Sequence, residues 1–148
     1  MKNTRVAILI PTMNRPDFLI RTLNYYAKMQ SPHPIYIGDS SNPENISIIK
    51  AFIESLNGKL EIDYNWFPPK FDNLEKFLAK VKEKYVVLNG DDDFEIPSSL
   101  TKCAEFLENN PDYASAGGHG VTFRLKTSGP YGEIDRLADY PFRSLEAE

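Results

Sequence analysis

The chain has 148 residues, of which 41% are hydrophobic and 26% charged, and its formal net charge is −4. This length and composition favour a single globular domain over residues 1–148 and exclude intrinsic disorder and collagen-like structure. The acidic balance argues against binding of duplex nucleic acid by counterion release, although it leaves a nucleotide ligand open. The single cysteine, Cys103, excludes an internal disulfide, and no apolar run is long enough for a membrane span or a signal peptide. We therefore expect a cytoplasmic protein without a transmembrane segment and without a nucleic-acid partner.

The predicted elements of the first half alternate between strands and helices. Residues 6–10 are an unbroken aliphatic run, typical of a strand that is covered on both faces, and Pro11 ends it. A polar loop at residues 12–15 leads to a helix that begins at Pro16. Residues 35–37 predict a second strand, and a second helix begins at Pro43 with Asn42 as its cap.

The same alternation continues in the second half. Residues 60–66 predict a third strand, 72–83 a third helix, 85–88 a fourth strand and 97–109 a fourth helix. Residues 113–116 predict a fifth strand, after which the pattern fades. Strand–helix units repeated four times imply right-handed crossovers. The predicted fold is therefore α/β, a mostly parallel sheet with helices on both faces, and it is best supported over residues 1–118.

Polar clusters follow three of the predicted strands, at residues 12–15, 39–42 and 91–93. Ligands of open parallel sheets bind beyond the carboxyl ends of the strands, so the fold should bring these clusters to one edge. Asp91, Asp92 and Asp93 repel one another, and a hard divalent cation such as Mg²⁺ or Mn²⁺ offsets that repulsion. The alternative is a solvated acidic turn that favours the start of the helix at Pro97.

Other polar residues are expected at the same edge. Asp39 can accept a hydrogen bond from a ribose hydroxyl or a base N–H, or it can serve as a turn residue. Asn14 and Arg15 can meet a pyrophosphate or a base edge, and Lys70 and Asn73 follow the third strand.

Several motifs of other functional classes are missing, and the histidines are isolated. The lack of Gly-x-Gly-x-x-Gly disfavours dinucleotide binding, and the lack of Gly-Lys-Ser or Gly-Lys-Thr excludes a P-loop. His33 lies between two prolines and is predicted to lie on the surface. A receiver-like domain would need a late lysine at a strand end, where Lys126 fits poorly. A nucleotidyltransferase would need glycine in the loop at residues 12–15.

Three segments in this order resemble the inverting family-two glycosyltransferases. They are VAILIPTMNRP at residues 6–16, IGDSS at residues 37–41 and VVLNGDDDF at residues 86–94. The resemblance covers roughly residues 6–118 and implies the Rossmann-like GT-A fold of nucleotide-diphospho-sugar transferases. In that family the N-terminal half binds a nucleoside diphosphate sugar and ends in an Asp-x-Asp-like motif that holds Mg²⁺ or Mn²⁺ on the diphosphate.

The resemblance also implies roles for individual residues. Pro11, Thr12, Asn14 and Arg15 match the loop that packs on the nucleoside, and Asp39 matches the carboxylate that contacts the base. Asn73 is kept as an assisting nucleotide contact.

The register of the metal motif stays open between two alignments. Alignment on Pro97 makes Asp92 the metal ligand and Asp91 the ribose contact, whereas a direct match to Asp-x-Asp makes Asp93 the ligand. We prefer Asp92 and keep all three residues as candidates. Gly38 departs from the family, which often has an acidic residue at this position.

The acceptor part and the catalytic base of the family lie further downstream. Residues 119–148 are interpreted as the start of the acceptor part; Glu133 and Asp135 lie in this direction without a surrounding motif, so no catalytic base is assigned. The resemblance implies metal-dependent transfer of a sugar to an acceptor hydroxyl with inversion, in cell-surface polysaccharide synthesis. The implied acceptor is a glycan or a lipid-linked molecule, which would place the protein at the inner face of the membrane. The alternative is a non-catalytic or truncated nucleotide-sugar-binding module.

Overall fold

Helices and strands alternate along the part of the chain that the structure describes. A computed structural model describes residues 4–69 and 73–140, and for residues 73 and 74 only the backbone. The elements in these ranges are β1 (Val6–Thr12), α1 (Pro16–Lys28), β2 (Ile35–Asp39), α2 (Pro43–Ser55), β3 (Ile62–Trp66), α3 (Asn73–Leu78), β4 (Tyr85–Leu88), α4 (Pro97–Asn109), β5 (Val121–Leu125) and β6 (Ile134–Asp139). The predicted alternation over the first four strand–helix units is confirmed.

The first four strands form a parallel sheet in the order β3-β2-β1-β4. Thr12 pairs with Asp39, and Asp39 pairs with Trp66, so the carboxyl ends of three strands lie side by side. Asn89 donates its backbone N–H to the carbonyl oxygen of Leu9, which joins the end of β4 to the same edge. We call the segments 12–15, 39–42, 64–66 and 89–93 the carboxyl edge.

Both faces of β1 are covered over residues 6–10, because alternate side chains of this strand enter different cores. Ala7 and Leu9 pack with Phe77 of α3. The opposite face packs against helices α1, α2 and α4 through a larger set of side chains: Ile8, Ile10, Leu19, Leu23, Tyr26, Ile35, Ile37, Ile49, Leu100 and Ala104. Residues 6–10 of β1 are buried on both faces, which is why the sequence shows an uninterrupted aliphatic run there.

Proline begins three of the described helices, and each of these helices starts just after a loop of the carboxyl edge. Pro16, Pro43 and Pro97 occupy the first helical turn, where a missing N–H costs no hydrogen bond. The Asn42 side chain accepts a hydrogen bond from the backbone N–H of Asn45 at 3.0 Å, which confirms the predicted cap. The helix starts therefore hold the ends of the edge loops in place.

A glycine at position 38 permits close packing between β2 and α3. A Cβ atom on Gly38 would lie 3.0 Å from ring carbons of Phe77, which is closer than side chains normally pack. Any side chain at position 38 would have to displace this buried ring. This packing gives a physical reason why Gly38 stands where the resemblance expects an acidic residue.

Some predicted boundaries are wrong. β1 continues through Pro11 and Thr12, because Ser40 donates its N–H to the Thr12 carbonyl oxygen and extends the pairing. α3 ends at Leu78 rather than near residue 83, since tight turns at residues 77–81 redirect the chain toward β4.

The fifth strand is also misplaced in the prediction. Residues 113–116 form no strand, and the glycine-containing stretch after them has no regular structure. β5 and β6 instead form an antiparallel hairpin over residues 121–139. No helix within the described ranges has the length and apolar character that a membrane span requires.

Candidate functional site

Asp91 is the buried centre of the carboxyl edge. Its side chain is 5% exposed, and both carboxylate oxygens accept hydrogen bonds from the end of β1 and the loop after it. The Thr12 hydroxyl donates to Oδ2 at 2.7 Å, and Arg15 Nη1 donates to Oδ1 at 2.6 Å. The Thr22 hydroxyl, from α1, donates to the Asp91 main-chain oxygen at 2.7 Å. The fold therefore brings two of the predicted polar clusters into direct contact.

The charge of Asp91 depends on these contacts. Burial raises the pKa of Asp91, because the ionised carboxylate loses solvation; the Thr12 hydroxyl and Arg15 oppose the increase, and Asp92 and Asp93 add to it. The hydrogen bond to Asp92 is the main cause that raises the pKa of Arg15. The network thus holds a costly buried carboxylate beside a firmly protonated guanidinium.

Asp92 and Asp93 are exposed, in contrast to Asp91. The Asp92 side chain is 47% exposed, and its Oδ2 accepts a hydrogen bond from Arg15 Nη2 at 2.9 Å. A Cβ atom on Gly90 would lie 2.7 Å from Asp93 Oδ2 and 3.2 Å from Asp92 Oδ1. Two carboxylate oxygens therefore lie next to the same point above Gly90. A side chain at position 90 would collide with them in these positions, and glycine leaves the space free.

Buried side chains fix the backbone of the acidic turn. Asn89, directly after β4, donates from Nδ2 to the carbonyl oxygens of Gly90 at 2.7 Å and Asp93 at 3.2 Å. The Tyr26 hydroxyl accepts from the backbone N–H of Glu95 at 3.0 Å. Sequence reasoning missed Asn89 and Tyr26; a polar residue at the end of a buried strand was the signal for Asn89, whereas Tyr26 looked like an ordinary core residue.

Arg21 holds the same turn from α1. Its Nη2 donates to the main-chain oxygen of Asp92 at 2.9 Å, and its Nη1 donates to the carbonyl oxygen of Pro130 in the hairpin at 2.7 Å. Its guanidinium also lies over the ring of Phe94, 4.9 Å from the centroid. Arg21 therefore links the acidic turn to the β5–β6 hairpin, a connection that no local pattern in the sequence indicated.

Asn14 joins the loop after β1 to the loop after β2. Its backbone has a φ of 55°, a left-handed conformation that asparagine adopts more readily than most residues. Its N–H donates to the Ser41 hydroxyl at 2.8 Å, and its side-chain oxygen accepts from the backbone N–H of Asn42 at 2.9 Å. The cluster at residues 39–42 is thereby tied to the cluster at residues 12–15.

Asp39 lies at this edge, but it is fully buried and already hydrogen-bonded. The backbone N–H of Ser41 donates to Oδ1 at 2.8 Å, and the Tyr64 hydroxyl donates to Oδ2 at 2.6 Å. This geometry is that of the turn residue considered from the sequence. Asp39 therefore stabilises the turn at residues 39–41 from inside the fold.

Two exposed apolar side chains flank this polar network. Trp66 is 49% exposed at the end of β3 and donates from Nε1 to the Ser41 carbonyl oxygen at 3.1 Å. Met13 is 53% exposed in the loop after β1. Sequence reasoning missed both of them and Tyr64, although the end of the third strand was expected to reach the same edge.

With this geometry established, the chain can be compared with known proteins. The family model described as "Glycosyl transferase family 2" matches residues 7–142, which is most of the chain. The chain belongs to glycosyl transferase family 2. No curated protein sequence matches it.

A solved structure of a glycosyltransferase shares the fold of this family 2 domain. It is a mannosyltransferase from Pyrobaculum calidifontis in complex with GDP-Man and Mn²⁺, with a TM-score of 0.55 and 18% sequence identity. The match covers 70% of this chain and 32% of that chain, so the family 2 domain described here corresponds to about a third of the mannosyltransferase. The expected GT-A fold is confirmed.

The exposed carboxylates of the acidic turn have the donor atoms for a divalent cation whose other ligands would be water and phosphate oxygens. Within residues 4–69 and 73–140, no three Asp, Glu, His or Cys side chains gather into a preformed metal cage. Mg²⁺ is usually held by one or two carboxylates, with water and phosphate oxygens in the other positions. Asp92 and Asp93 have the donor type and exposure for such a role, whereas both oxygens of Asp91 are engaged.

The remaining predicted site residues lie apart from this network or outside the described side chains. Pro11 is exposed on β1, next to Thr12. Lys70 and the side chain of Asn73 lie outside the described residues. On the hairpin, Glu133 lies 2.8 Å from Lys126 Nζ and Asp135 lies 3.9 Å from Arg124 Nε, and both acids are exposed.

The surface position predicted for His33 is wrong. His33 is 1% exposed, and its Nδ1 accepts a hydrogen bond from the backbone N–H of Val6 at 3.1 Å. Its Nε2 therefore carries the proton and lies 2.9 Å from the Pro97 carbonyl oxygen. Burial lowers the pKa of His33. With both ring nitrogens bonded, the imidazole is buried at low cost, which the flanking prolines did not indicate.

Proposed function

We propose that this domain binds a nucleoside diphosphate sugar at the carboxyl edge and transfers the sugar to an acceptor hydroxyl. The observation that carries the proposal is the network around Asp91, which joins Thr12 and Arg15 to an acidic turn whose other carboxylates are exposed. Membership of glycosyl transferase family 2 supports the reaction class. The similar mannosyltransferase structure contains GDP-Man and Mn²⁺, which supports a sugar nucleotide and a divalent cation as ligands.

The nucleoside part of the ligand would lie on the loops that follow β1 and β2. We assign Pro11, Thr12, Asn14, Arg15, Asp39, Asn73 and Asp91 to nucleotide binding. Thr12, Asp39 and Asp91 are buried with internal hydrogen bonds, so they shape the pocket and orient its exposed members. The exposed ring of Trp66 adds an apolar surface on which a planar base can stack.

The diphosphate would lie at the acidic turn. Asp92 and Asp93 would hold Mg²⁺ or Mn²⁺, because their oxygens flank the same point above Gly90. Asp91 would contribute indirectly, since Thr12 and Arg15 occupy both of its oxygens. When bound, the cation supplies positive charge that stabilises the diphosphate leaving group.

The finer parts of the proposal concern the acceptor. We propose a glycan or lipid-linked acceptor in cell-surface polysaccharide synthesis, attack with inversion of the anomeric centre, and a position in the cytoplasm at the inner face of the membrane. These parts are supported by the resemblance to inverting family-two enzymes.

A nucleotide-sugar-binding module without catalysis is the second candidate. It is favoured by one observation: Glu133 and Asp135, the downstream acids considered as bases, each lie beside a cation on the facing arm of the hairpin. A general base must reach the acceptor hydroxyl within hydrogen-bond distance.

Calorimetric titration tests the donor site. UDP, GDP and dTDP are titrated into the protein with and without Mn²⁺, and the same is done for Asp92→Ala and for Asp112→Ala, an exposed carboxylate beyond the far end of α4. We expect at least one diphosphate to bind in a Mn²⁺-dependent way, the binding to be lost in Asp92→Ala, and Asp112→Ala to behave as wild type. Failure of every diphosphate to bind to folded protein would sink the proposal.

A turnover assay then separates the two candidates. The diphosphate that binds is supplied as its sugar nucleotides, and release of the free diphosphate is followed with and without saccharide acceptors. Release that requires both Asp92 and a saccharide acceptor identifies a transferase, because release without an acceptor is hydrolysis. Tight binding without any release identifies the binding module.

A further inference from the structure

The guanidinium group of Arg15 bridges two carboxylates of the acidic turn. Nη1 donates to Asp91 Oδ1 at 2.6 Å, and Nη2 donates to Asp92 Oδ2 at 2.9 Å. The ring of Phe18, one turn along α1, supports the guanidinium, with Cζ 4.1 Å from the ring centroid. Arg15 is thus held between a buried acid and an exposed acid.

This position gives Arg15 a second role besides contact with a nucleotide. Arg15 binds Oδ2 of Asp92, so a divalent cation at Oδ1 would share this carboxylate with the guanidinium and would be repelled by its charge. A diphosphate attracts both cations, and guanidinium groups bind phosphate oxygens in the same two-pronged way as carboxylates. The two ligands should therefore not bind independently.

We propose that Arg15 is the resident counter-ion of Asp91 and Asp92, so that a divalent cation binds Asp92 tightly only when a diphosphate has drawn the guanidinium away from it; this rests on the proposed function. Arg15 acts here as a positioning residue, through the carboxylate of Asp92. Asp91 keeps its hydrogen bond from Thr12 throughout, which anchors the turn while Arg15 changes partner.

Metal affinity in the absence of turnover gives the direct test. Free Mn²⁺ is measured from its electron paramagnetic resonance signal during titration of wild type and Arg15→Met, each with and without the diphosphate that binds best. Wild type should bind Mn²⁺ weakly alone and much more tightly with the diphosphate. Arg15→Met should bind Mn²⁺ alone about tenfold more tightly than wild type. The diphosphate should then increase the Mn²⁺ affinity of Arg15→Met less than that of wild type, because the coupling between the two ligands is reduced.

Two other variants separate this role from a general change of charge. Arg124→Met removes an exposed guanidinium that lies 3.9 Å from Asp135 on the hairpin, so it matches the loss of charge, and its Mn²⁺ affinity should stay at the wild-type value. Phe18→Leu keeps the charge of Arg15 but removes its supporting ring, so we expect a smaller shift in the same direction. Lysine cannot bridge two carboxylates as the planar guanidinium does, so the Mn²⁺ affinity of Arg15→Lys should lie between those of Arg15→Met and wild type.

The outcomes distinguish this proposal from the proposed function. If Mn²⁺ and the diphosphate bind together as expected but Arg15→Met binds Mn²⁺ alone no better than wild type or Arg124→Met does, the role of Arg15 is overturned while the donor site stands. If wild type binds Mn²⁺ equally well with and without the diphosphate, the role of Arg15 is likewise overturned. If no diphosphate binds, both proposals fail. Circular dichroism spectra of each variant are recorded to check that the fold is intact.

Discussion

The carboxyl edge and the β5–β6 hairpin of this molecule are built in opposite ways. At the edge, Thr12, Asp39 and Asp91 are buried polar groups, and each has hydrogen-bond partners from another loop or strand. On the hairpin, large apolar side chains such as Val121 and Leu137 are exposed, and charged side chains form exposed ion pairs.

The difference shows where the chain has organised its polar groups in advance. A buried polar group is costly unless it is hydrogen-bonded, so a closed network such as that around Asp91 needs every member in place. Preorganised dipoles and charges are also what a site for a charged ligand requires. The hairpin depends on strand pairing and on contacts such as that between the rings of Phe94 and Phe123. Because its polar side chains are exposed, water can replace their hydrogen-bond partners.

The largest contrast is expected from matched threonine substitutions. Thr12→Val removes the hydroxyl that donates to the buried Asp91 carboxylate, and loss of a hydrogen bond to a buried charge should lower the free energy of unfolding by about 1.5–3 kcal/mol. Thr122→Val removes a hydroxyl that donates to the Ala138 carbonyl oxygen on the exposed hairpin, and its effect should stay within about 0.5 kcal/mol. Urea unfolding of the two variants measures both values. Equal effects would show that the two regions do not differ as described.

A smaller contrast is expected from matched tyrosine substitutions. Tyr64→Phe removes the hydroxyl that donates to Asp39 Oδ2, and the expected loss is about 1–2 kcal/mol, because water can partly replace it at this half-buried position. Tyr131→Phe, on the exposed loop of the hairpin, should change stability by less than about 0.5 kcal/mol. Thermal unfolding is sufficient for the comparison. If Tyr64→Phe is as stable as wild type, the Asp39 carboxylate does not need the Tyr64 hydroxyl, and its Oδ2 could accept a hydrogen bond from a ligand instead.

The smallest effect concerns the two histidines, one buried just before β2 and one exposed before the hairpin. Because burial lowers the pKa of His33 below its ordinary value of 6.5, the unfolded chain binds a proton more readily than the folded one. Stability contributed by neutral His33 is therefore present above pH 6.5 and is lost as the pH falls below it. The loss between pH 7 and pH 6 should be at most about 0.7 kcal/mol, the limit for an imidazole that stays neutral in the folded protein.

Substitution of each histidine isolates this contribution. Urea unfolding at both pH values should give a flatter pH dependence for His33→Gln than for wild type. His119→Gln, at a side chain that is 77% exposed, should keep the wild-type slope. The same slope in His33→Gln and wild type would contradict the assignment of a buried neutral imidazole.

The fold of the first half could be predicted because its signals are local. Aliphatic runs, helix-starting prolines at positions 16, 43 and 97, and polar residues after strands each depend on a few neighbouring residues. The same signals placed the clusters at 12–15, 39–42 and 91–93 on one edge. A weak strand pattern beside several glycines misled the prediction at residues 113–116, since hairpin pairing rather than local propensity positions β5.

The partners within the site could not be predicted, because they are distant along the chain. Thr12 and Asp91 are 79 positions apart, and the hydrogen bond that Thr12 donates to Asp91 depends on the register between β1 and β4. Tyr64 reaches Asp39 only because β3 pairs in register with β2. The burial of His33 likewise depends on Val6 and Pro97, which lie far from it in sequence.

A nuclear magnetic resonance titration tests the central claim most directly. The diphosphate that binds in calorimetry is added with Mg²⁺ to ¹⁵N-labelled protein, and the shifts of the backbone amide signals are followed. The account predicts that the largest shifts fall at residues 12–15, 39–42 and 90–93, with smaller shifts along residues 121–139 of the hairpin. Largest shifts on the hairpin, or no shifts at the carboxyl edge, would contradict it.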